Sequence, residues 1–455
     1  MIHKYKLCGY NIVLDINSGA VHVVDELVYD MLDNISPPFE ASCSERVANK
    51  LSRFYDKEEI ITCYEEIRKL HESGTLFSED DYEKFTEQSA DAPLKAMCLI
   101  VEQDCNLRCE YCFAEAGKYG FDECAAMDFK VGKKAIDFLI KNSKERKNLE
   151  IDFFGGEPLM NFEVVKKITE YARSKGKRAG KIIRFTLTTN GILLDDEKIN
   201  FINKEMSNVV LSLDGRKETN DRVRKRLDGT GCYDKAISEF KTLADRRGHE
   251  NYYIRGTFTK YNLDFTSDVY HLYEQGFDQI SIEPVIGKPD MPCAVSDRDL
   301  PRIFSEYEIL AKRILADKKR GKGFNFFHFM LDLDQGPCAI KRLRGCGAGS
   351  EYVAVTPDGG IYPCHQFAGF PEYKMGSVLD GEMDKALKKT FAGSHIYSKS
   401  DCVDCWAKFY CSGGCNANNY IFNGDIRMPH RFSCLIQKKR LECAIMMKAA
   451  LADEV

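Results

Sequence analysis

The chemistry of this chain is carried by its cysteines. Cys105, Cys109 and Cys112 stand in the spacing C-x3-C-x2-C, within Cys105-Asn-Leu-Arg-Cys109-Glu-Tyr-Cys112. Three thiolates on so short a loop can hold three irons of a cubane cluster and leave the fourth iron without a protein ligand. An iron left open can bind a small molecule through an amino and a carboxylate group. A zinc knuckle is the plain alternative. Structural zinc usually takes four protein ligands, and no nearby cysteine or histidine supplies the fourth here. A second concentration lies toward the C-terminus: Cys346-x12-Gly359-x4-Cys364, then Cys402-x2-Cys405-x5-Cys411-x3-Cys415, an 18-residue gap and Cys434. Sets of four thiolates suit zinc as well as iron–sulfur clusters. Cys338 lies eight residues before Cys346 and could join this group. His365, next to Cys364, could be a ligand or an acid/base, but a solvated or core histidine is the commoner fate. The other eight of the chain's 19 cysteines are scattered, at 8, 43, 63, 98, 124, 232, 293 and 443, and read mostly as small buried hydrophobes.

The elements that must position these groups alternate. Apolar strand candidates fall at 96–101, 149–154, 182–188, 208–213, 252–259 and 279–284, with helical periods between them at 129–142, 163–174, 196–204, 234–245 and 264–275. Six βα units with a parallel sheet follow. They predict an open partial (β/α)6 barrel, although a doubly wound sheet has the same periodicity. Polar motifs sit where these strands end, the end at which barrels place their chemistry. The cysteine loop follows the first strand and Gly155-Gly156-Glu157-Pro158 the second. Thr188-Thr189-Asn190-Gly191 follows the third, and Ser212-Leu-Asp214-Gly215 ends the fourth, with Asn220-Asp221-x-x-Arg224 just beyond. Glu283 closes the sixth. Each piece alone is an ordinary turn or helix cap; their succession at strand ends is not.

Four regions result: 1–90, 91–299, a bridging helical stretch at 300–335, and a Gly- and Cys-rich region at 336–455. The first shows short strand patterns and then three short helical periods, a winged-helix-like unit. A polar, acidic linker is expected over 78–92. The first 90 residues hold 9 Lys/Arg against 18 Asp/Glu, a net of −9, although the whole chain is only at −5. Phosphate binding runs on Lys and Arg, so nucleic acid is not the expected partner. Capture of a peptide by strand addition fits better. With 44% apolar and 30% charged residues the composition is that of a water-soluble globular chain. No apolar run reaches the ~18 residues of a membrane span, and the opening residues show no secretory or transit pattern. Cytoplasm, without a membrane partner, is the expectation, and there clustered cysteines are read first as metal ligands.

Together these motifs resemble the radical S-adenosylmethionine (SAM) superfamily. The resemblance implies a SAM-binding 4Fe–4S cluster on Cys105, Cys109 and Cys112. It places Tyr111 near adenine. Gly155, Gly156 and Glu157 would receive the SAM amino group, Arg224 its carboxylate, and Ser212 and Asp214 the ribose hydroxyls, with Thr188, Asn190 and Glu283 as further pocket residues. The C-terminal cysteines are similar to the seven-cysteine SPASM pattern. That implies two auxiliary 4Fe–4S clusters, three clusters in all. Cys402, Cys405, Cys411 and Cys434 would hold the outer one, and Cys346, Cys364 and Cys415 the inner one, completed by Cys338 or by a substrate thiolate. The N-terminal region resembles the peptide-recognition element of ribosomal-peptide maturases. The whole chain looks like a maturase of six-cysteine (SCIFF) peptides, a sactipeptide-type thioether synthase. It would bind the leader of a Cys-rich precursor peptide, take electrons from reduced flavodoxin or ferredoxin, and form a cysteine-derived thioether after hydrogen abstraction by a 5′-deoxyadenosyl radical. Two alternatives stay open: another SPASM oxidase such as a formylglycine-forming sulfatase maturase, and a metal-containing DNA-binding regulator.

Overall fold

The computed structural model describes residues 1–87, 92–287, 290–333 and 339–452. Cys338 lies outside the described residues.

The chain opens with an antiparallel meander of β1 (Ile2–Leu7), β2 (Tyr10–Asp15) and β3 (Val21–Val24). Cys8 and Gly9 make the first turn with positive φ at both positions, as a tight hairpin requires. Helices α1 (Glu26–Met31), α2 (Glu45–Leu51) and α3 (Lys57–Glu72) follow, and the side chains of Asp25, Ser44 and Asp56 cap their first turns. The two-residue strand period divides the sheet's contacts. Val13 packs under these helices, whereas Ile12 and Leu14 join the core of the rest of the molecule. The N-terminal unit is therefore built into the main body rather than tethered to it.

The central region contains β4 (Ala96–Glu102), β5 (Leu107–Cys109), α4 (Phe129–Asn142), β6 (Asn148–Gly155), α5 (Phe162–Arg178), β7 (Ile182–Thr189), α6 (Asp196–Glu205) and β8 (Asn208–Ser212). It continues with α7 (Lys217–Val223), β9 (Arg224–Arg226), α8 (Tyr233–Arg246), β10 (Tyr252–Phe258), α9 (Phe265–Glu274) and β11 (Gln279–Pro284). Strands β4, β6, β7, β8, β10 and β11 lie side by side in chain order, all parallel. A doubly wound sheet would reverse its strand order at a switch point, and within this set of six the order does not reverse. Crossovers of one hand then leave the helices on one face. The expected strands fall within a residue or two of those observed.

The sheet runs on past both ends of this set. After α10 (Leu300–Lys319), β12 (Asn325–Phe326) pairs with β11, so the stretch expected to be a helical bridge also extends the sheet. Next comes α11 (Ala339–Arg344). At the other edge β13 (Tyr352–Val355) pairs in parallel with β4, followed by β14 (Gly360–Tyr362), β15 (Gly376–Ser377) and β16 (Glu382–Met383) in antiparallel order. Short helices α12 (Lys385–Ala392), α13 (Ser400–Val403), α14 (Lys408–Cys411) and α15 (Asn416–Asn423) follow, with Cys402 in α13 and Cys411 in α14, and then α16 (Arg431–Ala452), which holds Cys434. Helix α16 packs between α10 and the N-terminal sheet: Tyr5 Oη donates to the Glu442 carbonyl at 2.8 Å, and His3 stacks on Trp406 at 3.8 Å.

The segment expected to be a free linker is pinned as far as residue 87. Lys408 is 4% exposed, and such an ammonium needs a counter-charge. Asp80 supplies it at 2.6 Å and also accepts from Tyr397 Oη at 2.5 Å. The ring of Tyr82 packs edge-on against Phe409. No helix among the described residues is long and apolar enough to cross a membrane.

Candidate active site

The loops at the C-terminal ends of the parallel strands enclose a cavity of about 570 Å³. A cavity of similar size, about 580 Å³, lies at the opposite ends, lined by residues such as Arg184, His249 and Tyr253. The first holds the cysteine loop and the motif residues, and it is the one with chemistry.

Backbone packing holds the cysteine loop. Gly156 N–H donates to the Glu102 carbonyl at 2.8 Å and Glu157 N–H to the Asp104 carbonyl at 2.9 Å, joining the turn after β6 to the segment leading into Cys105. The approach leaves no room for side chains. A Cβ on Gly156 would lie 2.0 Å from the Asp104 oxygen, and one on Gly155, at φ +148°, 2.3 Å from the Glu102 oxygen. Downstream, β5 pairs antiparallel with β9, which sets Cys109 opposite Arg224. Sequence periodicity gave no hint of this small two-stranded sheet. Backbone N–H groups point at two of the sulfurs, Leu107 at Cys105 Sγ (3.4 Å) and Ala116 at Cys112 Sγ (3.3 Å). Burial pushes the Cys105 thiol up to about 11 and Cys109 up to about 12, with Arg224 opposing the shift in both. Bound iron reverses that tendency by taking the thiolate.

Glu157 is expected to receive an amino group, but its carboxylate is engaged elsewhere. Oε1 accepts from Leu159 N–H (3.0 Å) and Thr189 Oγ1 (2.8 Å), and Oε2 from Asn190 N–H (2.8 Å). The side chain ties the end of β6 to the end of β7. It is 1% exposed, and burial pushes its carboxyl up to about 7 against those three donors. Asn190 in turn donates from Nδ2 to Asn106 Oδ1 at 2.8 Å and reaches Cys105 Sγ at 3.6 Å, so it steadies the cysteine loop. Thr188 and Ser212 line the cavity as expected.

Asp214 differs from expectation. It is fully buried; Oδ2 accepts from Tyr111 Oη at 2.6 Å and Oδ1 from Thr257 N–H at 3.0 Å. Both oxygens are used within the protein, so Asp214 is not placed to meet a ribose. It holds Tyr111, which also accepts from Arg224 Nη1 at 2.8 Å. A buried chain Arg224–Tyr111–Asp214 results, and through it Arg224 stays charged. Arg224 Nε is buried with no partner, although Arg224 lines the cavity. A guanidinium with an unmet donor at the wall suits an anionic ligand such as a carboxylate. Tyr119 and Thr257 went unrecognised in the sequence. Tyr119 Oη donates to the Gly155 carbonyl at 2.9 Å, and nothing local marks a contact across 36 residues.

The late cysteines fall into two electrostatic groups. Burial raises the Cys402, Cys411 and Cys434 thiols, with Cys405 adding to the shift in all three, whereas burial raises Cys364 with Cys415 and Cys346 adding to it. Among the described residues, no three metal-ligating side chains close on one point as they would around a single ion; a cubane spreads its thiolates over separate irons. Lys399 bears on which group belongs here. It is 1% exposed, donates to the Gly413 carbonyl (2.8 Å) and Asn416 Oδ1 (3.0 Å), and lies within the field of Cys402, Cys411, Cys415 and Cys434. Its described partners include no carboxylate. Burial lowers its pKa and the neighbouring sulfurs oppose that shift, so ligating thiolates there would favour the charged ammonium.

The inner group lies behind the wall of the main cavity, where Gln366 reaches Cys415 Sγ at 3.9 Å. Cys112, Cys364 and Cys415 edge one apolar cluster with Tyr119, Phe367 and Ala354. His365 is neither solvated nor buried in the core: it lines the cavity against Phe154 (4.8 Å) and Phe113 (5.6 Å). Burial holds it near 4, hence neutral, and its Nδ1 has no partner. Glu283 lines the cavity as expected, paired with Arg255 at 2.6 Å.

Residues 99–264 match the family described as the radical SAM superfamily. The chain is also similar to the cysteine-type anaerobic sulfatase-maturating enzyme of Clostridium novyi, at 22% identity over 350 residues, covering 71% of this chain and 89% of that protein. Its fold is like that of a solved chain described as native anSMEcpe with bound AdoMet and Cp18Cys peptide (TM-score 0.65, 20% identity, 80% of this chain and 99% of that one). It is also like Streptococcus suis SuiB bound to the precursor peptide SuiA (TM-score 0.53, 18% identity, 94% and 97%). The family implies SAM and a 4Fe–4S cluster, and the three-thiol loop beside the Arg224 guanidinium fits both.

Proposed function

We propose that this protein is a radical SAM enzyme that modifies a ribosomally made, Cys-rich precursor peptide and closes a cysteine-derived thioether. One observation carries the reading: the cavity holding the Cys105–Cys112 loop is walled on another side by His365, next to Cys364, and by Gln366, whose Nε2 reaches Cys415 Sγ at 3.9 Å. A substrate seated there would touch a radical source on one side and a thiol-held auxiliary centre on the other. When bound, the clusters and SAM supply an electron, a hydrogen-abstracting radical and a sink for the surplus electron. The protein's residues do the rest. Arg224 would bind the SAM carboxylate, steadied by Tyr111 and Asp214. The Gly155-Gly156 backbone would receive the amino group, and Ser212 and Thr188 would border the sugar. Cys346, Cys364 and Cys415 would hold an inner auxiliary cluster with one position for Cys338 or a substrate thiolate. Cys402, Cys405, Cys411 and Cys434 would hold an outer one.

The peptide partner is supported by the N-terminal sheet. Among the described residues β3 pairs only with β2, so its other edge is open to strand addition. The likeness to SuiB takes in nearly the whole chain, and SuiB is seen with its precursor peptide. The likeness to anSMEcpe leaves about a fifth of the chain uncovered, the size of the N-terminal unit. A formylglycine-forming oxidase is the second reading, favoured by the similarity to the Clostridium novyi enzyme. The test is anaerobic incubation of the iron-loaded protein with reductant, SAM and Cys-rich peptides. A two-hydrogen mass loss that consumes a cysteine thiol and yields no aldehyde supports the thioether. An aldehyde product supports the second reading. 5′-Deoxyadenosine without any peptide product would refute both.

A further inference from the structure

Beyond Glu283 and Asn418 the main cavity leads into a second one of about 280 Å³, bordered by Cys411, Cys415, Cys434 and Arg440. Its lining holds one carboxylate, Glu283, and one arginine, Arg440. The Glu283 carboxylate is already met by Arg255 at 2.6 Å. His328, 3.7 Å from Glu283, is held well below its ordinary pKa by burial and is neutral. His430, in the same wall, is lowered for the same reason and stacks on Phe422 at 4.0 Å. Arg440 shares the field of Glu283 but does not bond it. It is 7% exposed, its Nε donates to Tyr307 Oη at 2.9 Å, and its Nη2 is buried without an acceptor. No carboxylate among the described residues bonds it.

An unmet guanidinium donor in a closed wall is costly, and more so because it is charged. Its best partner is a planar carboxylate, which matches its fork. The SAM carboxylate has its own arginine, Arg224, in the other cavity. We infer that Arg440 anchors a subsite for a carboxylate of the peptide substrate, an acidic side chain or a free C-terminus, close to the residue that meets the auxiliary thiols. This rests on the peptide-modifying reading above. The subsite would set which stretch of a precursor enters: one with an acidic group beside its reacting cysteine.

Three peptide probes test it on the iron-loaded full chain by isothermal titration calorimetry with SAM present. They share one Cys-containing sequence. The first has Asp beside the cysteine and an amidated C-terminus, the second Asn in its place, and the third Asn with a free C-terminal carboxylate. One carboxylate peptide should bind roughly tenfold more tightly than the Asn amide, and which one does so names the source. Arg440→Gln should bring all three within about twofold, and Arg440→Lys should keep part of the preference. Iron content, read alongside, shows whether each variant is intact. If Arg440→Gln loses its iron, the wild-type comparison and Arg440→Lys still decide. Equal binding of all three peptides, or a preference that survives Arg440→Gln, overturns the subsite while leaving the peptide reading standing. Binding of none of them overturns both.

Discussion

Gly156 shows how little freedom a residue of this site has. Its missing Cβ is what lets the turn after β6 lie on the backbone of Asp104. Gly156→Ala should therefore displace the cysteine loop and lower 5′-deoxyadenosine formation by about a hundredfold, with iron content falling in step. Unchanged iron and turnover would show that the loop can yield. Glu157 makes a different demand. All three groups that meet its carboxylate are donors, so Glu157→Gln must turn an NH2 toward one of them. The variant should lose about 1–3 kcal/mol of stability, read as a lower thermal midpoint; a variant as stable as wild type would mean that the loop rearranges. Both residues stood out in the sequence as one motif, but their jobs did not. The motif marks a strand end near the chemistry. That Glu157 bonds Thr189 and Asn190, and that Asp214 turns inward to Tyr111, depends on partners 32 to 103 residues away, which no local pattern encodes.

At the scale of elements, the parallel strands and the helices between them were plain from periodicity, because each buries a regular face. The short pieces were not. Strands β5 and β9 have three residues each, too few for a period, yet they bring Arg224 opposite Cys109. The N-terminal unit read as separate because its composition is distinct. Its sheet nevertheless has two buried faces, and Tyr5, Leu7, Ile12 and Leu14 share a core with Ile445 and Met446 of α16. Removing residues 1–87 should uncover that face at about 1.5–3 kcal/mol for each large apolar side chain. The truncated protein should melt lower and aggregate; a truncation with the wild-type midpoint would show that the unit folds apart.

Across the whole molecule the sheet is the scaffold. It carries the cysteine loop at the end of β4, and the neighbouring β13 and β14 lead to Cys364. The Cys105–Cys112 loop and late cysteines 411, 415 and 434 thereby line two adjoining cavities, with Lys399 buried among the late cysteines. Lys399→Met should lower the iron retained by the anaerobically loaded protein by at least about twofold, whereas cysteines 105, 109 and 112 should keep theirs. Full iron retention would mean that the ammonium serves packing only. Sequence alone marked the thiol loops as ligand sets, because ligation depends on thiol count and spacing within short loops, and it determined the run of βα units, because burial imposes a period. Tertiary structure decided the winding of the sheet, the inward turn of Asp214, the place of His365 at the cavity wall and the unmet donor of Arg440. Each of these depends on which distant groups share a low-dielectric interior, where a donor or a charge must find its partner across the fold.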